Sequence, residues 1–126
     1  MKTNNFCVNE KTFRIDILAG DTASMTITLT GYDFQPSDRA LFTVARKDDE
    51  EVVLSKELEF YNNELVVRFA SEDTNFLDPD CEYEWDVRAI INPNYDEHGS
   101  IIERDGVSTP GSPYKFVVHK TVGKKV

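Results

Sequence analysis

Cys81-Glu82-Tyr83-Glu84-Trp85-Asp86-Val87-Arg88-Ala89-Ile90-Ile91 is the stretch that decides the fold. Cys81, Tyr83, Trp85, Val87, Ala89 and Ile91 share one parity, while Glu82, Glu84, Asp86 and Arg88 share the other. Only an extended chain turns that spacing into one apolar and one polar face, because successive side chains of a strand point to opposite sides. The run is the longest of its kind in the chain and is expected at the centre of a sheet. Trp85, on the inward parity, is then a core anchor; a ring used for ligand stacking would have to face outward beside other aromatics.

The same alternation recurs on both sides of this strand. Phe13, Ile15 and Ile17 alternate with Arg14 and Asp16, and Met25, Ile27 and Leu29 with Ser24, Thr26 and Thr28. Ala19-Gly20-Asp21-Thr22 lies between them and carries turn chemistry, with Gly20 able to take a positive φ. Gly31 to Asp38 reads as a loop, Phe42 and Val44 as part of a third strand, and Lys47-Asp48-Asp49-Glu50-Glu51 as a solvated turn.

Asn62-Asn63 suits a two-residue hairpin turn, since asparagine tolerates positive φ at both central positions. That turn sets Phe60 opposite Leu65, Leu58 opposite Val67, and Glu57 opposite Arg68. Lys56 falls on the inward parity, a misfit that an edge strand or a bulge accommodates. Ser71-Glu72-Asp73-Thr74 is expected to form a single helical turn capped by Ser71. Asn92 to Gly106 reads as a long hairpin arm or loop, and Tyr114, Phe116 and Val118 form the closing strand after Pro110 and Pro113.

No amphipathic helix of about ten residues and no internal repeat interrupts these strands. The expected fold is all-β, an immunoglobulin-like antiparallel β-sandwich of about seven to nine strands; a small closed barrel is the alternative. Residues 1–126 make one domain, with the core at roughly 12–120 and flexible tails at both ends.

Charge narrows the partners. With 14 basic against 23 acidic residues and a formal net charge of −9, the chain lacks the positive field that nucleic acid or an anionic membrane requires. Its first residues carry no apolar run of a secretory signal, so the expected location is a cytoplasm or a particle assembled there. Two distant cysteines, Cys7 and Cys81, make neither a disulfide framework nor a zinc motif; two buried or half-buried thiols are expected, and a bridge between them is the alternative.

Catalytic signatures are missing from the residues. His98 and His119 are not accompanied by a nucleophile motif, and no phosphate-binding glycine loop occurs, so no catalytic residue and no cofactor are assigned. Asp78, Asp80, Glu82, Glu84 and Asp86 share a parity and span about 26 Å if all lie on one strand. Such a row is first of all a solvated face, and Asp78, Asp80 and Glu82 are its weak candidates for a hard cation. The candidates for partner contact are the loop aromatics Tyr32, Phe34, Tyr61 and Tyr95.

Three segments in order carry a resemblance: Ala19-Gly20-Asp21-Thr22 before an alternating strand; Glu72-Asp73-Thr74-Asn75-Phe76-Leu77-Asp78-Pro79 running into Tyr83-Glu84-Trp85-Asp86-Val87-Arg88; and Val107-Ser108-Thr109-Pro110-Gly111-Ser112-Pro113 before Phe116-Val117-Val118. Together they resemble bacteriophage and prophage virion proteins, similar to the N-terminal sandwich domains of baseplate upper proteins and fibre-anchoring tail proteins. The resemblance spans about residues 13–120; it departs at Asp80-Cys81, where the family pattern continues with Pro-Gly, and no coiled coil follows. It implies a non-enzymatic tail, baseplate or head-decoration component that contacts other virion proteins and is a monomer or small oligomer alone. It also implies a location in the virion, or in a bacterial host cytoplasm during assembly. Asp86 and Arg88 match the family's Trp-Asp-x-Arg strand, where a cross-strand salt link is the physical reading. A carbohydrate-binding or calcium-dependent adhesion module is the alternative reading.

Overall fold

A computed structural model describes residues 6–30, 32–91, 93–99, 101–102, 105–108 and 113–119. Of the expected tails, residues 1–5 and 120–126 lie outside the described residues, as does the Thr109-Pro110-Gly111-Ser112 loop, whereas Cys7 and Val8, expected in the N-terminal tail, pair with Asp16 and Ile15, and Phe6 and Val8 pack against the core. Eleven strands and one helical turn occur among them: β1 Cys7–Val8, β2 Ile15–Leu18, β3 Ala23–Thr28, β4 Arg39–Arg46, β5 Val52–Glu59, β6 Glu64–Phe69, α1 Ser71–Thr74, β7 Tyr83–Ile91, β8 Asn94–Tyr95, β9 Ile101–Ile102, β10 Asp105–Ser108 and β11 Tyr114–His119. The architecture is an all-β sandwich.

The larger sheet runs β1-β2-β11-β7-β4-β5, and β10 also pairs with β7. As expected, β7 is central. One flank pairs with β4 from Tyr83 to Ile90; the other is shared by β11 at Tyr83–Trp85 and β10 at Arg88–Ile91. β3 and β6 form the facing sheet, and β8 and β9 a separate two-stranded arm. One pairing departs from the expected antiparallel scheme: β11 runs parallel to β2, with Phe116 beside Ile15 and Val118 beside Ile17.

The core lies between the sheets. Ile15, Ile17, Phe42, Val44, Trp85, Val87 and Phe116 of the larger sheet meet Leu65, Val67 and Phe69 of the smaller, all buried. Phe69 makes the crossing, its ring 5.7 Å from Phe42 and 6.0 Å from Phe116. Trp85 packs against Phe42 at 5.4 Å and Tyr114 at 4.9 Å, and its indole N–H donates to the Phe13 carbonyl at 2.9 Å.

Several expectations are corrected by three-dimensional context. Phe13 is not an inward strand residue: it sits before β2 at φ 60° and is exposed, its carbonyl serving Trp85 and its ring edge-on to Tyr114. Ile90, rather than Ile91, is fully buried at the end of β7, outside the main cluster, so the outer face is covered where β10 pairs. Ser71 is the first helical residue and Ala70 the cap; the Asp73 carboxylate does the capping, accepting from the Ala70 N–H at 2.7 Å. Cys7 is exposed and Cys81 half-buried, both free thiols.

The Asn62-Asn63 turn forms as expected, at φ 53° and 64°, with Tyr61 and Glu64 exchanging backbone hydrogen bonds. Its strands do not stay paired. β5 joins β4 in the larger sheet and β6 joins β3 in the smaller, so Glu57 lies opposite Leu41, and Arg68 opposite Ser24. Leu58, Phe60, Leu65 and Val67 are nevertheless all buried, because the two arms open around the core instead of closing over it. Lys56 lies on the edge strand β5, and its inward ammonium reaches Asp73 of α1 at 2.9 Å.

Asp73, Asp16 and Asp86 contribute to the acid response of this fold. Partial burial alone would raise the Asp73 pKa, but the Ala70 N–H and the Lys56 ammonium outweigh it and hold the carboxyl below its ordinary value. Asp16 behaves alike: burial is outweighed by hydrogen bonds and charge from Arg14 and His119, at 2.9 Å and 2.8 Å. Both contributions to stability are complete above the ordinary carboxylate value of about 4 and are lost as pH falls through the depressed folded values. Asp86 has the opposite sign. Burial raises its pKa and Arg88, two residues along the same strand, offsets this only in part, so its ionisation opposes folding. Urea denaturation across pH is expected to show stability holding or rising slightly into mild acid and then falling. Asp73→Asn should flatten the fall, and Asp86→Asn should remove the rise.

Candidate functional site

The sheet order places three connections at one end of the sandwich. β4 starts and β5 ends there, Arg39 opposite Glu59, and β7 ends there, Ile90 opposite Arg39. The β3–β4 loop, the β5–β6 turn and the β8–β9 arm therefore cluster, and the four loop aromatics are carried by these three connections. Tyr61 is 77% exposed, Tyr32 47% and Tyr95 45%, whereas Phe34 is half-buried.

Asn63 makes this end rigid. Its side-chain oxygen accepts from the Phe34 N–H at 2.9 Å, and its amide donates to the carbonyls of Tyr32 and Leu29 at 2.6 and 3.1 Å. Its own carbonyl accepts from the Leu29 N–H at 3.0 Å. The left-handed backbone that makes the turn also aims this side chain across the loop. Buried Asp38 accepts from the Gln35 N–H at 2.8 Å, and Arg39 donates to the carbonyls of Pro36 and Asp38. A side chain nearly out of water keeps its partners, since an unpaired buried polar group costs free energy.

The rings are held as well. Phe34 stacks on buried Phe60, centroids 4.2 Å apart and planes 3° from parallel, and Tyr32 packs on Phe34 at 4.9 Å. Phe34 is thus a staple over the end of the core, and Tyr32 and Tyr61, like Tyr95 on the arm, are presented to solvent. Flanking Tyr32 and Tyr61 in the same loop and turn are exposed Asp33, Glu59 and Glu64, so the apolar centre has an acidic rim. Arg39 is a cation at this end, engaged with Glu57 at 3.6 Å and Glu59 at 3.9 Å.

The acidic row dissolves in three dimensions. β7 begins at Tyr83, so Asp78 and Asp80 precede the strand in a turn at the opposite end. There Asp78 accepts from the Asp80 N–H at 2.9 Å, its second oxygen meets the Cys81 thiol at 3.6 Å, and Glu82 faces Lys47 at 3.7 Å. These residues use their charge on their own backbone and neighbours, and no cluster of three or more metal-ligating side chains occurs among the described residues. A wide-open depression of about 520 Å³ lies there, lined by Lys47, Asp48, Asp80, Cys81 and Glu82. The histidines are far from forming a triad with a nucleophile: His98 is exposed beside Glu97, and His119 is taken by Asp16.

Asn63 and Asp38 were legible in the sequence only as turn and loop residues; nothing local announces that an asparagine will hydrogen-bond a segment about 30 residues away. No model of a known protein family matches this chain, and no curated protein is significantly similar to it.

Proposed function

We propose that this protein is a non-enzymatic contact module, a tail, baseplate or head-decoration component of a phage-type virion, which holds a partner protein through the loop end carrying Tyr32, Phe34 and Tyr61. The observation that carries this reading is the pre-organisation of that end: exposed tyrosines stand on loops pinned by Asn63, Asp38 and Arg39. Rigid aromatic side chains give large contact areas at little entropic cost. A sandwich that clusters its connections at one end has its recognition surface built there. The virion assignment draws its support from the order of the motifs around Tyr83-Glu84-Trp85-Asp86-Val87-Arg88. The acidic rim favours a partner with basic residues around an apolar centre.

Mass spectrometry of particles purified from the host that carries the gene is expected to find the chain in stoichiometric copies. The double variant Tyr32→Ser, Tyr61→Ser should keep its melting temperature and lose incorporation about tenfold or more, as expected when central aromatic anchors are removed. Absence of the chain from particles, together with glycan binding by the isolated protein, would replace this reading with the carbohydrate-binding one.

A further inference from the structure

The smaller sheet has only two strands, β3 and β6, and β3 has no strand on its far side among the described residues. The ladder fixes which groups face that open edge. Leu29 N–H donates to Asn63, so Leu29, Ile27, Met25 and Ala23 direct their backbone groups to β6. In an antiparallel pair the directions alternate. Ser24, Thr26 and Thr28 therefore present their N–H and C=O groups outward along the free edge.

Burial shows the same incompleteness. On β6 the inward residues Leu65, Val67 and Phe69 are buried, whereas their opposite numbers Ile27, Met25 and Ala23 on β3 are only half-buried. The apolar face of the sandwich runs out to the edge and stops. The far edge of the larger sheet is guarded, with Lys56 pointing inward and Glu57 and Glu59 outward. β3 carries no such guard. No charged residue occurs from Thr22 to Tyr32, the longest uncharged stretch in a chain of net charge −9. It is the edge at which two copies can meet without setting like charges opposite one another.

The geometry points to a homodimer made by antiparallel pairing of β3 with β3 of a second copy, the twofold axis passing at Thr26. The outward backbone groups restrict the pairing to Ser24, Thr26 and Thr28 among themselves, and centring on Thr26 is the arrangement that uses all three. Thr26 pairs with its own counterpart and Ser24 with Thr28, which places hydroxyl beside hydroxyl on the wet face. On the inner face Met25 meets Ile27 of the other copy, and the half-buried apolar margin of each core is covered. The result is a four-stranded sheet in the order β6-β3-β3-β6, with every ladder group on β3 satisfied. Because the two bodies repel through their net charge while the seam is neutral, added salt tightens the association instead of weakening it.

Sedimentation velocity on the whole chain, from micromolar to near-millimolar concentration, reads the dimer directly. Expected are a concentration-dependent dimer strengthened by sodium chloride, and slow hydrogen exchange at the Ser24, Thr26 and Thr28 amides that appears only with the dimer. Thr26→Lys sets two ammonium groups face to face on the axis and should weaken association about tenfold or more. Ser24→Lys is the second edge variant, and Thr26→Val, neutral and strand-favouring, should retain the dimer. Unchanged thermal melts of the monomers show that the variants fold. A monomer at every concentration overturns the proposal. So does a dimer indifferent to both lysines, or a monomer in which the three amides are already protected, since then another segment of the same chain covers the edge.

Discussion

Trp85→Ala is expected to lower stability by about 3 to 5 kcal/mol, near the whole stability of a domain this size. Trp85 is only 5% exposed on the central strand β7, between Phe42 and Tyr114, so truncation leaves a cavity that flanking strands on both sides prevent from collapsing. The loss extends beyond packing. The indole N–H is what occupies the Phe13 carbonyl, and Phe13 holds a φ of 60° that a large side chain adopts only when its surroundings impose it. Urea denaturation followed by far-ultraviolet circular dichroism measures the change without needing the tryptophan. A cost below about 1 kcal/mol would show that the site is not the core anchor described. In the native chain the same burial predicts blue-shifted emission that iodide quenches poorly.

The second large effect is expected at Asn63. Asn63→Val forces a β-branched residue into a φ of 64° and deletes its side-chain hydrogen bonds to the loop that carries Tyr32 and Phe34. Strain of about 1 to 2 kcal/mol and hydrogen bonds worth about 1 kcal/mol each, partly replaced by water, give an expected cost of about 3 kcal/mol. Asn62→Val shares the strain, at φ 53°, without the clamp, and should cost less. Asn63→Gly separates the two causes. It relieves the backbone while releasing the loop, so it should recover part of the stability and still weaken partner contact. Equal melting points for Asn62→Val and Asn63→Val would refute the clamp.

Local chemistry carried much of this fold into the sequence. The parity of Tyr83 to Ala89, the charged turn after Arg46, Gly20 with its φ of 85° and the paired asparagines each depend on neighbours within a few residues, and each is found where the alternation put it. What could not be read depends on distant partners. Whether β5 and β6 stay paired beyond their turn is decided by β4 and β3, which carry the two arms into different sheets on either side of the core. Nothing within Val52 to Phe69 records where those partners lie. The misfit Lys56 was visible, but its explanation needed both the edge position and an aspartate brought over by α1. At the candidate site the aromatic residues were legible because loop chemistry is local. Their gathering at one end was not, since it follows from the order of strands in the sheet.

The parallel pairing of β2 with β11 has a mechanical side. When a chain is pulled from both directions, the strand nearest its beginning and the strand nearest its end are drawn apart along their common axis. In a parallel pair this loads the cross-strand hydrogen bonds in shear, all together, while the two-residue β1, lying antiparallel on β2, peels away first. The rows Ile15–Phe116 and Ile17–Val118 therefore act as a latch: force reaching the sandwich meets the cooperative rupture of this patch before Trp85 or the rest of the core is exposed. For a body tethered at either side, resistance to tension resides in a few residues of the first and last long strands, and is set by how fast that patch lets go.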